Sequence, residues 1–414
     1  MCRVYMEKMD KGPWVICEEV PGARTVRFST FIRVGSILET RKNNGISHFI
    51  EHGLFKGTKK RNSREISLEI ESKGGSINAY TSSEHTSLYV HVLPEDIEQS
   101  VELLSDMLFN SVFDEKLMEK ERLVILEEVK GYFDSPEHVL LQRTYERLFG
   151  EESPLALPVE GTSESVKRIT INELREYWKR YYYPENIIIS AAGKIKTEEL
   201  LDTIRKHFPE GTGKSPVKVP EIKKNGTDKK IGVFNKRGLK HEYVTLARET
   251  FSYTDTRKYP FLIVNTYLGG GMSSYLFQRF REENPLVYTI TTFTSLYKLS
   301  GEWGIFFSTD RRNIQRVLDI LRNDLKNMRL SEKDLECVKK KLKGALSIEL
   351  ESLGSKVARN FKEIFYYERY RTPEEVLNNI MSVKLDDVND MMKELLEPDN
   401  LILTILGGVN HVHW

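Results

Sequence analysis

The chain of 414 residues is long enough for two or three domains, each burying its own core. With 39% hydrophobic, 30% charged and 10% aromatic residues, it has the composition of a folded protein rather than a disordered one. Its 62 Lys+Arg nearly cancel 61 Asp+Glu to a formal charge of +1, which argues against a surface built to neutralise nucleic-acid phosphates. No apolar run approaches the ~20 residues that span a bilayer. The first ten residues carry neither an apolar signal core nor an Arg/Ser-rich transit pattern, so the expected setting is the cytosol, with no membrane partner. Cys2, Cys17 and Cys337 are too scattered for a disulfide framework or for paired zinc ligands.

In chain order, Val26–Val34 and Ile77–Leu93 have the β-branched and aromatic content of strands. Helices are expected near 44–56, 63–73, 95–110, 115–132, 136–149 and 171–181. Asn62 and Glu65 have capping-box spacing, and Gly74-Gly75 stops the helix they open. The second half repeats the mixture, with strands near 231–250, 286–298 and 301–309 and helices from 311 onward. Blocks of strands set apart from blocks of helices predict α+β layers rather than alternating βαβ units.

The halves also resemble each other. Pro-Glu-Asn-Ile-Ile-Ile-Ser-Ala-Ala-Gly at 184–193 stands opposite Pro-Asp-Asn-Leu-Ile-Leu-Thr-Ile-Leu-Gly at 398–407, mostly identities and close exchanges. Upstream, Ile169–Leu174 matches Val383–Val388 at the same offset of 214. Between the halves, 209–230 is rich in Pro, Gly and Lys, lacks aromatics and has no helical period, as a solvated linker would. The expectation is two homologous α+β domains, residues 1–208 and 231–414, each an antiparallel-rich sheet covered by helices.

The most informative residues are His48-Phe49-Ile50-Glu51-His52. Histidines at i and i+4 of a helix project from one face and can grip one cation, although the same pair also suits core packing. Glu51, on the same side, can take a proton from water that zinc has acidified. A catalytic zinc commonly has three protein ligands, so a third is expected. The helix at 115–132 offers Glu115, Glu119, Glu121, Glu127 and Glu128; Glu121 and Glu128 share a face among Val, Leu and Ile. The residues by themselves do not choose among these acids.

His48–His52 followed by Leu54-Phe55-Lys56-Gly57-Thr58 resembles the inverted-motif zinc peptidases, or inverzincins, of the pitrilysin/M16 family. The likeness continues through Gly74-Gly75-Ser76-Ile77-Asn78-Ala79-Tyr80-Thr81, Val124–Glu128, Ser153-Pro154-Leu155, Gly161-Thr162, Tyr183–Asn186 and Leu268–Ser274. It covers nearly the whole chain and is nearest the short subfamily of bacterial and mitochondrial processing peptidases. The resemblance implies one Zn²⁺ per chain held by His48, His52 and Glu128, with Glu51 as general base and Glu121 orienting the ligands. It further implies an edge strand with Asn78 and Ala79 that binds extended peptide, and an Arg281/Tyr288 pair that binds substrate and stabilises the tetrahedral intermediate. Around that pair the usual Gly-Leu-Ala-Tyr is Pro285-Leu286-Val287-Tyr288, and an Arg common after the two serines is Tyr275.

The repeat gives a control. His48, Glu51 and His52 fall opposite Leu262, Asn265 and Thr266, and Glu121 and Glu128 fall opposite Val338 and Ala345, so one metal site per chain is expected. Because both the zinc motif and the Arg/Tyr pair lie on one chain, the resemblance implies a homodimeric metalloendopeptidase for unfolded peptides. The rival is a non-catalytic scaffold or peptide-binding subunit, as some relatives in respiratory complexes are. His85 and His91 read as structural, His411 and His413 as a frayed end, and Gly269–Gly271 as a loop or helix end rather than a phosphate cradle.

Overall fold

The computed structural model describes residues 3–221, 226–227, 229–409 and 411–414. Cys2 and five positions of the expected linker, 222–225 and 228, lie outside the described residues.

Among the described residues, eleven strands form two mixed sheets. In chain order they are β1 (Arg3–Lys8), β2 (Trp14–Glu19), β3 (Val26–Ile32), β4 (Ser76–Thr81), β5 (Thr86–Val92), β6 (Ile187–Gly193), β7 (Ile231–Asn235), β8 (Glu242–Thr250), β9 (Val287–Leu296), β10 (Gly301–Thr309) and β11 (Ile402–Gly407). The helices packed on them include α1 (Ile46–Leu54), α2 (Glu115–Asp134), α3 (Pro136–Phe149), α4 (Ile171–Tyr181), α5 (Lys258–Gly269), α6 (Ile314–Asn327), α7 (Glu332–Glu349) and α8 (Leu353–Lys362). No helix among the described residues is long and apolar enough to cross a membrane.

The first sheet has the order β1-β2-β6-β3-β5-β4 and the second β7-β11-β8-β10-β9. Dropping β1, the orders correspond strand for strand. Each sheet contains one parallel pairing, β2 with β6 and β7 with β11, and antiparallel pairings elsewhere. The internal repeat read from 184–193 and 398–407 thus extends to whole topologies: β6 and β11 occupy the same place in their sheets. Two strand expectations need correction. Ile77–Leu93 is a hairpin of β4 and β5 whose turn is closed by Ser82 N–H donating to His85 C=O. The run 231–250 is likewise β7 and β8, separated by a turn with Gly238 at φ +82°. The first break carries no glycine or proline to mark it, whereas the second does contain turn residues, Asn235 and Gly238.

By packing, the chain divides into two compact units: Met1–Lys130, Leu157–Pro220 and Ile348–Tyr370 in the first, and Gly131–Ala156, Glu221–Ser347 and Arg371–Trp414 in the second. In the first unit α8 lies on the sheet. Phe361 stacks on Phe31 at 3.9 Å between ring centroids, within a cluster of Ile16, Ile188, Val357, Ile364 and Phe365. Lys356 pairs with buried Glu18 at 2.6 Å, and Asn360 donates to the same carboxylate. In the second unit α3 covers β8 and β11 through Leu140, Phe306 and Leu406, while α5 and α6 close the opposite core around Trp303, Ile305 and Phe307. Such apolar clusters, each residue worth roughly 1.5–3 kcal/mol when fully buried, give each unit its own core.

Candidate metal centre

The site is built on α1 and α2 of the first unit. The helix expected near 44–56 is α1, Ile46–Leu54, and its cap comes from farther upstream. Gly45 has φ +89° and offers no side chain. Instead the buried carboxylate of Glu39 accepts from Gly45 N–H (2.7 Å), Ser47 N–H (2.9 Å) and the Asn44 amide (3.0 Å). This meets the need of the first helical amides for acceptors, even though burial raises the Glu39 pKa. A side chain on Gly45 would stand 2.8 Å from the Glu160 carbonyl, so only glycine admits this approach.

Held by that cap, α1 presents His48 and His52 one turn apart. Their Nε2 atoms are 3.2 Å apart. Glu128 Oε2, from α2, lies 3.4 Å from His52 Nε2 and 3.8 Å from His48 Nε2. Ligands about 2.05 Å from a tetrahedral zinc stand roughly 3.3 Å apart, so this donor set fits the ion. Among the described residues it is the group of His, Cys, Asp or Glu atoms close enough to hold a metal, all within 4.8 Å of one another.

The surroundings orient these donors. His52 Nδ1 is 2.8 Å from Glu121 Oε1. A carboxylate can only accept there, so Nδ1 carries the proton and Nε2 presents its lone pair to the cluster. Glu121 Oε2 pairs in turn with Lys56 Nζ at 2.6 Å. Burial alone would raise the Glu121 pKa, but Lys56 and His52 outweigh it and hold the carboxylate ionised. His48 is pushed down to about 4, by burial first and His52 second, and is therefore neutral and able to ligate near pH 7. Its buried Nδ1 has no partner among the described residues, which leaves the ring to be fixed from the Nε2 side.

Glu51 follows on α1. Burial raises its pKa, against the opposing influence of Thr81 and His52. Thr81 Oγ1 donates to Glu51 Oε2 at 2.6 Å. Asn78 and Ala79 lie on β4, which among the described residues pairs only with β5 and so has one open edge. Asn78 is exposed, and its Oδ1 accepts from Ala79 N–H at 2.8 Å.

The structure thus brings together His48, Glu51, His52, Glu121 and Glu128. Arg281 and Tyr288 belong to the second unit. Arg281 is exposed in the helical turn 278–282, its guanidinium 4.9 Å from the Phe277 ring centroid. Tyr288 is 50% exposed on β9 and packs on His241, centroids 4.0 Å apart. In the repeat-related positions Val338 is buried in the core and Asn265 accepts from Trp303 Nε1. His85 is packed among Phe31, Phe361 and Phe365 and lowered by burial to about 3. His91 contacts Thr25 at 2.8 Å, and Gly269 ends α5. The residues that sequence reasoning passed over are Lys56 and Thr81. Both stand inside the matched motifs, one helical turn beyond His52 and at the end of the Gly74–Thr81 run.

Two family models match the chain: residues 14–163 match "Insulinase (Peptidase family M16)" and residues 168–342 match "Peptidase M16 inactive domain". The Bacillus subtilis protein "Uncharacterized zinc protease YmxG" is 32% identical over 402 residues, covering 96% of this chain and 97% of that one. Among solved structures, a protease from Helicobacter pylori superposes with a TM-score of 0.89 at 19% identity, over 98% of this chain and 99% of that one. A peptidase M16 inactive domain protein from Pseudomonas fluorescens gives 0.88 at 18%, over 99% and 100%. At such identities these two likenesses speak to the fold.

Proposed function

This chain belongs to peptidase family M16, and from that premise we propose that it is a zinc-dependent metalloendopeptidase acting on extended, unfolded peptides. The observation that carries the reading is the donor set of His48, His52 and Glu128, spaced for a tetrahedral ion, with Glu51 as the neighbouring acid.

His48, His52 and Glu128 would hold one Zn²⁺ per chain. Bound there, zinc would polarise a peptide carbonyl and bring the pKa of water toward neutrality. Glu51 accepts the proton of the attacking water and delivers it to the leaving amine. Glu121, anchored by Lys56, keeps His52 in the ligating tautomer and orientation. The open edge of β4 accepts a peptide as an added strand, with backbone pairing at Asn78 and Ala79, which favours unfolded substrates over folded ones. Arg281 and Tyr288 supply a cation and a phenol for the substrate carbonyl and the charge that develops on it. The enzyme works in the cytosol as a homodimer, so light scattering should give twice the 48.1 kDa of one chain.

The test is mass-spectrometric cleavage of a pool of unstructured peptides, about 10–30 residues long, by the zinc-loaded chain. Cleavage that stops with a chelator and returns with zinc is expected. A chain that holds zinc and cuts nothing would instead favour a scaffold or partner-dependent subunit.

A further inference from the structure

A glutamate that acts as a base has a weakness: its terminal torsion is broad, so an unpinned carboxylate swings freely. Glu51 is pinned, and by an element outside its own helix. Thr81 Oγ1 donates to Glu51 Oε2. Among the described residues nothing else bonds the Glu51 carboxylate, so Oε1 is the oxygen left to meet a water.

Thr81 is itself held firmly. It is the last residue of β4 and pairs with Thr86 across the hairpin. The Thr86 hydroxyl is committed elsewhere, donating to Val34 C=O at 2.9 Å, and does not compete for Glu51. Immediately beyond Thr81 the turn is fastened to the preceding loop, where Ser36 N–H donates to Ser82 C=O and Ile37 N–H to Ser83 C=O. Inside the turn the Ser82 hydroxyl contacts His85 Nδ1 at 2.9 Å, and His85 packs on Phe361. The other edge of β4 remains open.

We propose that Thr81 is a positioning residue for the base: its hydroxyl fixes the Glu51 carboxylate and ties it to the same strand that receives the peptide. This inference rests on the peptidase reading above. Base and scissile bond then share one frame, because the strand that sets the register of the peptide also carries the pin on the base. Displacing a catalytic group by about 1 Å can cost about 100-fold in rate, which sets the scale expected from losing the pin.

The experiment compares Thr81→Val, which keeps the β-branched shape but removes the donor, with Thr81→Ser, which keeps the donor. Zinc-loaded full-length protein is assayed on a quenched fluorogenic peptide, and zinc affinity is measured separately by competition with a chromophoric chelator. Thr81→Val should lower kcat about 10–100-fold with KM and zinc affinity unchanged, and Thr81→Ser should stay near wild type. A Thr81→Val enzyme with wild-type kcat overturns the proposal. So does an equal loss in both variants accompanied by weakened zinc binding, which would make Thr81 merely part of the strand. If wild type binds zinc and cleaves nothing, the peptidase reading falls and takes this inference with it.

Discussion

Glu302 offers a quantitative test of how the second unit is built. It lies on β10 with no exposed surface. Burial pushes its pKa up to about 8 from an ordinary 4.5, and Ser295 and Tyr297 offset only part of that rise. The folded chain therefore keeps this proton over a range in which the unfolded chain has released it. The sign follows from proton linkage. From about pH 4.5 to about pH 8, stability falls as pH rises, by about 1.4 kcal/mol per unit, and the loss levels off above the folded pKa. Across the whole window this is a few kcal/mol, a large share of an ordinary domain's stability. Glu302→Gln keeps the shape and removes the titration. Calorimetric unfolding at several pH values through that window should show the mutant profile shallower by one proton, in the transition that contains the second unit. Parallel profiles for mutant and wild type would refute the reasoning.

Two further substitutions probe the first unit. Lys56→Met frees one oxygen of Glu121 and removes the charge that keeps that carboxylate ionised. Zinc affinity, read by chelator competition, should fall up to about tenfold, with Lys56→Arg recovering most of it; an unchanged affinity would remove Lys56 from the ligand scaffold. Phe361→Ala empties the place of a ring that is 2% exposed and stacked on Phe31. It should cost about 3–5 kcal/mol in denaturant unfolding of the first unit, and a near-neutral result would deny α8 its part in that core.

Much of this architecture is written locally. Hydrophobic periodicity located α3, α4 and β10 to the residue, because each is bounded by a strong signal such as Pro136 or the Thr170 cap. The matching runs that became β6 and β11 carried the topology, since a repeat imposes one fold twice. His48, Glu51 and His52 were legible because a helix turns i and i+4 to one face. Glu128 was not legible in that way. It is one acid among several on α2, and only the family resemblance singled it out. What local pattern cannot hold is partnership across the chain. Thr81 reaching Glu51 and α8 lying on a sheet more than 150 residues upstream in sequence are tertiary choices with no period to betray them. The Ser82–His85 turn was hidden for a different reason: it is closed by backbone and hydroxyl bonds rather than by Gly or Pro.

The most direct measurement compares wild type with Glu51→Gln, both zinc-loaded, for metal content and for peptide cleavage in the same preparation. The site as described predicts one zinc per chain in each and a rate about 10²–10⁴-fold lower in the variant. A Glu51→Gln chain that retains zinc and cleaves at the wild-type rate would contradict it.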